Sequence, residues 1–132
     1  MDKRVQRFLE NKHSAIMVTL RKDGTPHVAK VAVGLVEGRL WSSGTQTRAR
    51  TKHVRRDPRA TLCVIDGDNP YSWLGIESRV TLREGDGAVG DNLALYRVLA
   101  GEPDDVEEYK RAMVEEQRLV YEFSIERTYG QY

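Results

Sequence analysis

Between Thr47 and Ala60 the chain reads TRARTKHVRRDPRA, so Arg48, Arg50, Lys52, Arg55, Arg56 and Arg59 crowd into fourteen positions of a protein whose formal net charge is only +1. Arg48 and Arg50 fall in the first turn of a predicted helix. There the unpaired backbone N–H groups and the positive end of the helix dipole already favour an anion. A guanidinium fork also meets a phosphate with two parallel N–H···O bonds. Ser43, Thr45 and Thr47 add hydroxyl donors just upstream. Helical spacing sets Arg48, Lys52, Arg55 and Arg56 on one face and Arg50 with Val54 on another. The later residues Arg55, Arg56 and Arg59 suit a solvated surface, or pairing with some of the 20 acidic residues. Two uses of the segment stay open at this level: a phosphate grip at the helix start, or the soluble face of an ordinary helix.

Other chemistries find less support. No Gly-x-Gly-x-x-Gly or phosphate-loop pattern occurs, which argues against a Rossmann or phosphate-loop nucleotide site. His13, His27 and His53 stand without spaced partners, so no metal site is expected. His27 follows Pro26 at the start of a strand and could edge a pocket. No serine sits in a nucleophile elbow, and Cys63 lies inside an apolar run where a buried, inert thiol is the expectation. Tyr71 and Trp73 read as two residues on one face of a strand, either core or the wall of a flat ring. A phosphate-like grip and an aromatic wall without a nucleophile or metal point to a bound cofactor that carries the chemistry. No side chain stands out as the catalytic acid.

The elements that must position these residues follow from periodicity. At 132 residues the chain has the length of a single domain spanning residues 1–132. With 21 basic against 20 acidic residues it lacks the generally basic coat of a nucleic-acid or membrane-surface protein. The lone cysteine, the charged start MDKRVQRFLENKH and the absence of a long apolar run predict a cytoplasmic protein with neither leader nor membrane anchor. Val5, Phe8 and Leu9 mark a short amphipathic helix over residues 2–11. SAIMVTL, the Asp-Gly turn and HVAKVAVGLV predict a hairpin, to which EGRLWSS adds a third strand, making a meander over about residues 14–43. The basic segment predicts a helix over residues 46–56, ended by Asp57-Pro58. RATLCVID and YSWLGIESRVTLRE predict a second hairpin, the stretch from Asp86 through Met113 two helices broken at AGEPDD, and RLVYEFSIERTYG a sixth strand. The expected fold is α+β, a six-stranded antiparallel barrel with peripheral helices.

Four stretches together carry a resemblance: AIMVTLRKDGTPHVAKV, SSGTQTRARTKHVRRDPRATLCV, YSWLGIESRVTL and ALYRVLAGEPDDVEEYKRAMVEEQRLVYEFSIERTYG. They resemble the pyridoxamine 5′-phosphate oxidase-like split β-barrel superfamily, and within it the flavin/deazaflavin oxidoreductases of the B class of actinobacteria, which use coenzyme F420. The resemblance implies a homodimer with cofactor sites at the subunit interface. It implies that Ser43, Arg48 and Arg50, with Lys52, hold the cofactor phosphate. It places the ring of the cofactor along PHVAKV, at His27, Val28, Lys30 and Val31, with Tyr71 and Trp73 of the other subunit closing the pocket. The implied activity is hydride transfer from reduced F420 to an electron-poor, conjugated small molecule. An FMN-dependent oxidase or reductase and a non-catalytic cofactor-binding protein are the alternatives. Relatives often carry lysine where this chain has Arg50.

Overall fold

The computed structural model describes residues 1–132. In Ser14–Leu20 (β1), alternation turns Ala15, Met17 and Thr19 inward. Gly24, with φ +86°, reverses the chain, and the Asp23 carboxylate accepts from both the backbone N–H and the hydroxyl of Thr25. Pro26–Ala32 (β2) returns antiparallel to β1. At Val33 the chain then leaves that ladder, so the long second strand expected from the sequence is two strands. Gly34–Val36 (β3) pairs with Arg39–Thr45 (β4) across a two-residue turn in which Glu37 and Gly38 both have positive φ, 51° and 78°. That is the turn geometry whose twist suits a hairpin. The expected meander is therefore a pair of separate hairpins.

Ala49–Arg56 (α2) follows β4, starting three residues later than expected because Gln46–Arg48 form a turn. Arg59–Ile65 (β5) and Trp73–Arg83 (β6) make the second hairpin, and a single 3-10 turn leads into Ala88–Ala100 (α3) and Val106–Glu115 (α4). The last expected strand is divided into Arg118–Phe123 (β7) and Arg127–Gln131 (β8), both running along β6. Phe123 pairs with Val80 but Arg127 pairs with Glu77, one residue out of register, so Ser124–Glu126 is a bulge. The count is thus eight strands rather than six, and both extra ones come from interruptions that alternation alone does not reveal.

The strand order is β2-β1-β5-β6-β7-β4-β3, with β8 also on β6. The sheet curls into an antiparallel half-barrel whose ends approach, Ser42 of β4 donating to the carbonyl of Ala32 in β2 at 2.7 Å. Its interior is filled by Met17, Val33, Leu40, Leu62, Leu74, Ile76, Tyr121 and Phe123, joined by Val5 and Leu9 of the amphipathic helix Lys3–Asn11 (α1). A smaller core of Val36, Trp41, Leu95 and Val120 seats α3 on the outside of β4 and β7. The fold is α+β, as expected.

Candidate cofactor-binding site

The start of α2 leaves donors free. Arg48 caps the helix in an extended conformation without a side-chain capping bond, and no acidic residue occupies the first turn. The N–H groups of Arg48, Thr51 and Lys52 are bonded to Thr45 and Arg48 carbonyls, whereas those of Ala49 and Arg50 have no partner. Unpaired N–H groups at a helix start attract an anion. Thr45 and Thr47 bring their hydroxyls together at 3.2 Å beside this turn.

The basic residues of the segment divide into two groups. Arg55 is tied to Glu84 at 3.0 Å and to the side-chain oxygen of Gln46 at 2.9 Å. Arg56 donates to the carbonyl of Leu20, and Arg59 pairs with Asp57 at 2.8 Å, holding that carboxyl down at about 2. Arg48, Arg50 and Lys52 make no ion pair, Arg48 and Lys52 make no side-chain hydrogen bond, and Arg50 has the Tyr121 hydroxyl as its polar neighbour while its Nε is buried without a partner. A buried donor left unpaired costs free energy until an acceptor arrives. The Arg50 guanidinium lies 5.6 Å from the centre of the Tyr121 ring, and burial lowers its pKa, with the charges of Arg48 and Arg118 adding to the effect. This donor set fits a phosphate group.

Tyr121 forms the floor of that arrangement. It is fully buried on β7, and its hydroxyl bonds with the Thr51 hydroxyl, which donates to the Thr45 carbonyl at 2.6 Å. Gly44 on β4 makes room for the ring, since a Cβ there would collide with it. Burial raises the Tyr121 pKa, so the phenol stays neutral beneath two arginines. The sequence alone points to none of Tyr121, Gly44 and Thr51 as members of the site. Tyr121 reads as one more alternating strand residue, and only the β4–β7 pairing carries it under α2.

The remaining candidates separate by strand period. On β2, His27 and Val31 turn inward, while Val28 and Lys30 face outward with Val28 64% exposed. The His27 ring meets His53 of α2 edge-on at 5.0 Å, and the Nδ1 of His27 is buried and unpartnered. Lys30 and Val28 belong to a continuous outer face. Ladder pairing aligns Lys30, Ile16, Cys63, Gly75 and Tyr129 in one row, and Val28, Val18, Thr61, Glu77 and Arg127 in the next. Trp73 stands on this same outer face, its ring edge-on to Tyr129 at 6.0 Å. The expectation that Tyr71 shares a strand with Trp73 does not hold: Tyr71 lies in the turn before β6 and is 78% exposed. The Asn69 side chain accepts from the Tyr71 N–H at 3.0 Å, a local turn bond that keeps the residue out of the ladder. Ser43 points to the α3 side, where its hydroxyl donates to the buried Asn92 at 2.5 Å.

The profile of the pyridoxamine 5′-phosphate oxidase family matches residues 1–132. The chain belongs to this family. An F420H2-dependent biliverdin reductase from Mycobacterium tuberculosis is 30% identical over 123 residues, spanning 93% of this chain and 82% of the relative. Among solved structures, a conserved hypothetical protein from Mycobacterium tuberculosis superposes with a TM-score of 0.82 at 20% identity, over 97% of this chain and 82% of the other. An F420 reductase superposes with a TM-score of 0.76 at 23% identity, over 96% of each chain. The haem storage protein HutZ from Vibrio cholerae shares the fold as well, with a TM-score of 0.73 at 9% identity over 98% of this chain and 93% of the other. The fold is thus shared by proteins that bear different functional names, and the chemistry of this chain must be argued from its own side chains.

Proposed function

We propose that this member of the family is a coenzyme F420-dependent oxidoreductase that catalyses hydride transfer from the reduced deazaflavin to an electron-poor, conjugated small molecule. The observation that carries the proposal is the division of the basic segment. Arg55, Arg56 and Arg59 are engaged within the chain, while Arg48, Arg50 and Lys52 stand free around a helix start with open N–H groups. The 30% identical F420H2-dependent reductase favours the deazaflavin among phosphorylated cofactors.

The protein's own part is to grip and orient. Arg48 and Arg50 take the phosphate with charge-assisted bonds, the unpaired N–H groups of Ala49 and Arg50 add to them, and Lys52 draws in further negative charge. Val28 and Lys30 on the outward side of β2 offer an apolar and a cationic contact to the ring, with His27 and Val31 supporting the strand from inside. When bound, the deazaflavin supplies a hydride from its C5 position.

A second copy of the chain completes the pocket. The outward face built by Val28, Ile16, Val18, Ile65, Trp73 and Tyr129 is half-apolar and continuous across β2, β1, β5, β6 and β8, the character of a surface that pairs with another copy. In that homodimer Tyr71 and Trp73 of the partner subunit wall the ring. Cytoplasmic residence fits this role, and no helix is long and apolar enough to cross a membrane.

Fluorescence titration of the purified protein with F420, and separately with FMN, tests the proposal. Preferential F420 binding near micromolar concentration, lost in Arg48→Ala/Arg50→Ala, is expected; oxidation of reduced F420 should then accelerate with a conjugated acceptor. A preference for FMN transfers the site to flavin chemistry, tight binding of F420 without turnover makes the protein a carrier, and binding of neither overturns the proposal.

A further inference from the structure

Of the three free cations at the start of α2, Arg48 and Lys52 are exposed and only Arg50 is half-buried. It is drawn in over Tyr121, whose ring centre lies 5.6 Å from the guanidinium carbon and whose hydroxyl is its polar neighbour. The orientation of that hydroxyl follows from the protons each group has to give. Thr51 has a single hydroxyl proton and spends it on the Thr45 carbonyl at 2.6 Å, so towards Tyr121 it accepts. Tyr121 therefore donates to Thr51, and the free electron pairs of its oxygen are left for Arg50. A directed chain results, from the Arg50 guanidinium through the Tyr121 and Thr51 hydroxyls to the Thr45 carbonyl. It ends on the turn that leads into α2, because the same carbonyl also accepts from the Arg48 N–H at 3.4 Å.

Filling the core does not call for this arrangement, since a phenylalanine on β7 would occupy the same space. The hydroxyl end of the ring reaches α2 because Gly44 on β4 has no side chain: a Cβ there would meet the Cζ and Oη of Tyr121 first. An arginine without an anchor samples many rotamers, and a ligand that binds it must freeze them. One that is already held loses less freedom, so the affinity rises by what the ordering would have cost. Tyr121 can take only part of the guanidinium's N–H donors, and the Nε stays without a partner. Arg50 is thus anchored without being neutralised, which is the state a phosphate needs to meet.

We propose that Tyr121 is a positioning residue of the phosphate grip: its hydroxyl holds Arg50, and through Arg50 alone it raises the affinity for the phosphate of the cofactor. This role rests on the phosphate site assigned above to Arg48 and Arg50, and adds to it a residue from outside the basic segment. Its signature is a coupling. Removing the hydroxyl matters where Arg50 is present and does not matter where Arg50 is gone, while Arg48, which makes no contact with the chain of hydroxyls through its side chain, leaves the effect intact.

A double-mutant cycle of Tyr121→Phe with Arg50→Ala tests this, with a parallel cycle of Tyr121→Phe with Arg48→Ala as control and F420 and FMN titrated by fluorescence. Tyr121→Phe keeps the ring and should weaken binding roughly fivefold. In the Arg50→Ala background it should change the affinity by less than about twofold, whereas in Arg48→Ala the loss of roughly fivefold should return. Thr51→Val breaks the chain one link further on and should reproduce part of the loss, while Thr51→Ser, which keeps the hydroxyl, should bind like the wild type. Denaturant melts check that each variant is folded at the titration temperature; if Tyr121→Phe does not fold, Thr51→Val takes its place in both cycles. A ring that only fills the core would lower the affinity alike in every background, and that result, or a folded variant of unchanged affinity, overturns the proposal. If the wild-type protein binds neither cofactor the functional reading falls by itself, and calorimetry with inorganic pyrophosphate then applies the same cycles. No binding of pyrophosphate either would overturn the positioning role together with the arginine site.

Discussion

The imidazoles of His27 and His53 meet edge-on, 5.0 Å between centroids and 75° between planes, and so join β2, the strand proposed to face the ring, to α2, the helix proposed to grip the phosphate. Thr19 completes the contact by bonding to the Nδ1 of His53 at 2.9 Å. Both halves of the candidate site are thereby braced against one another through β1.

That contact has a pH signature. Burial, then the charges of His27, Arg56 and Arg21, lower the His53 pKa from its ordinary 6.5. As pH falls the unfolded chain is protonated first, so this contribution to stability is complete above 6.5 and declines as pH drops through 6.5 towards the lower folded value. Urea midpoints measured across this range should fall more steeply for the wild type than for His53→Gln. Equal slopes would show that the contact carries no proton linkage.

Affinity and stability should separate within α2. Arg50→Ala removes charge-assisted bonds worth about 1.5–3 kcal/mol, a loss of roughly ten- to a hundredfold in F420 affinity, with little change in Tm. Arg55→Ala breaks an exposed pair with Glu84 and should leave the affinity within about twofold. Titration of both variants side by side checks the division; a comparable loss from Arg55→Ala would contradict it.

Gly44 should tolerate no side chain. Its alanine variant drives a methyl group into the Tyr121 ring, an overpacking expected to cost about 1–3 kcal/mol in a denaturant melt. Because the displaced ring is also the floor under Arg50, F420 affinity should fall together with stability. A stable Gly44→Ala that binds normally would show that Tyr121 has room elsewhere.

Thr51→Val keeps the shape of the side chain but takes from the buried Tyr121 hydroxyl its Thr51 partner and from the Thr45 carbonyl one of its two bonds, leaving only that of the Arg48 N–H. The expected cost is about 1–3 kcal/mol, and Tyr121→Phe in the same background should recover part of it by removing one stranded group. Chemical denaturation of the two variants and their combination reads this directly.

The outward face should govern assembly. Wild-type protein is expected to sediment at twice the chain mass, and Val28→Glu, which sets a charge on that face beside Val18, should shift it to the monomer without altering far-UV dichroism. A wild-type monomer at micromolar concentration would remove the shared pocket.

Much of the architecture was legible along the chain. Alternation found β1, β5 and the core of β6, the Asp-Gly and Glu-Gly turns announced their hairpins, and the three- and four-residue spacings of Val89, Leu93, Tyr96 and Leu99 marked α3. The breaks leave no mark in that pattern. Val33 keeps the apolar pattern running while the backbone changes partners, and the bulge at Ser124–Glu126 leaves Phe123 and Ile125 in an unbroken alternation. Tyr71 departs from its expected strand for the opposite reason, since local turn bonds override a pattern of only two residues.

What the residues determined by themselves is therefore what depends on near neighbours: the elements, and the excess of cations at the start of one helix. Which of those cations are free was decided by tertiary structure, because Glu84, Leu20 and Tyr121 reach α2 only through strands distant in sequence. Charge density is a property of composition, but an unpaired charge is a property of the space around it, and that space exists only once β4 and β7 have brought Thr45 opposite Arg118.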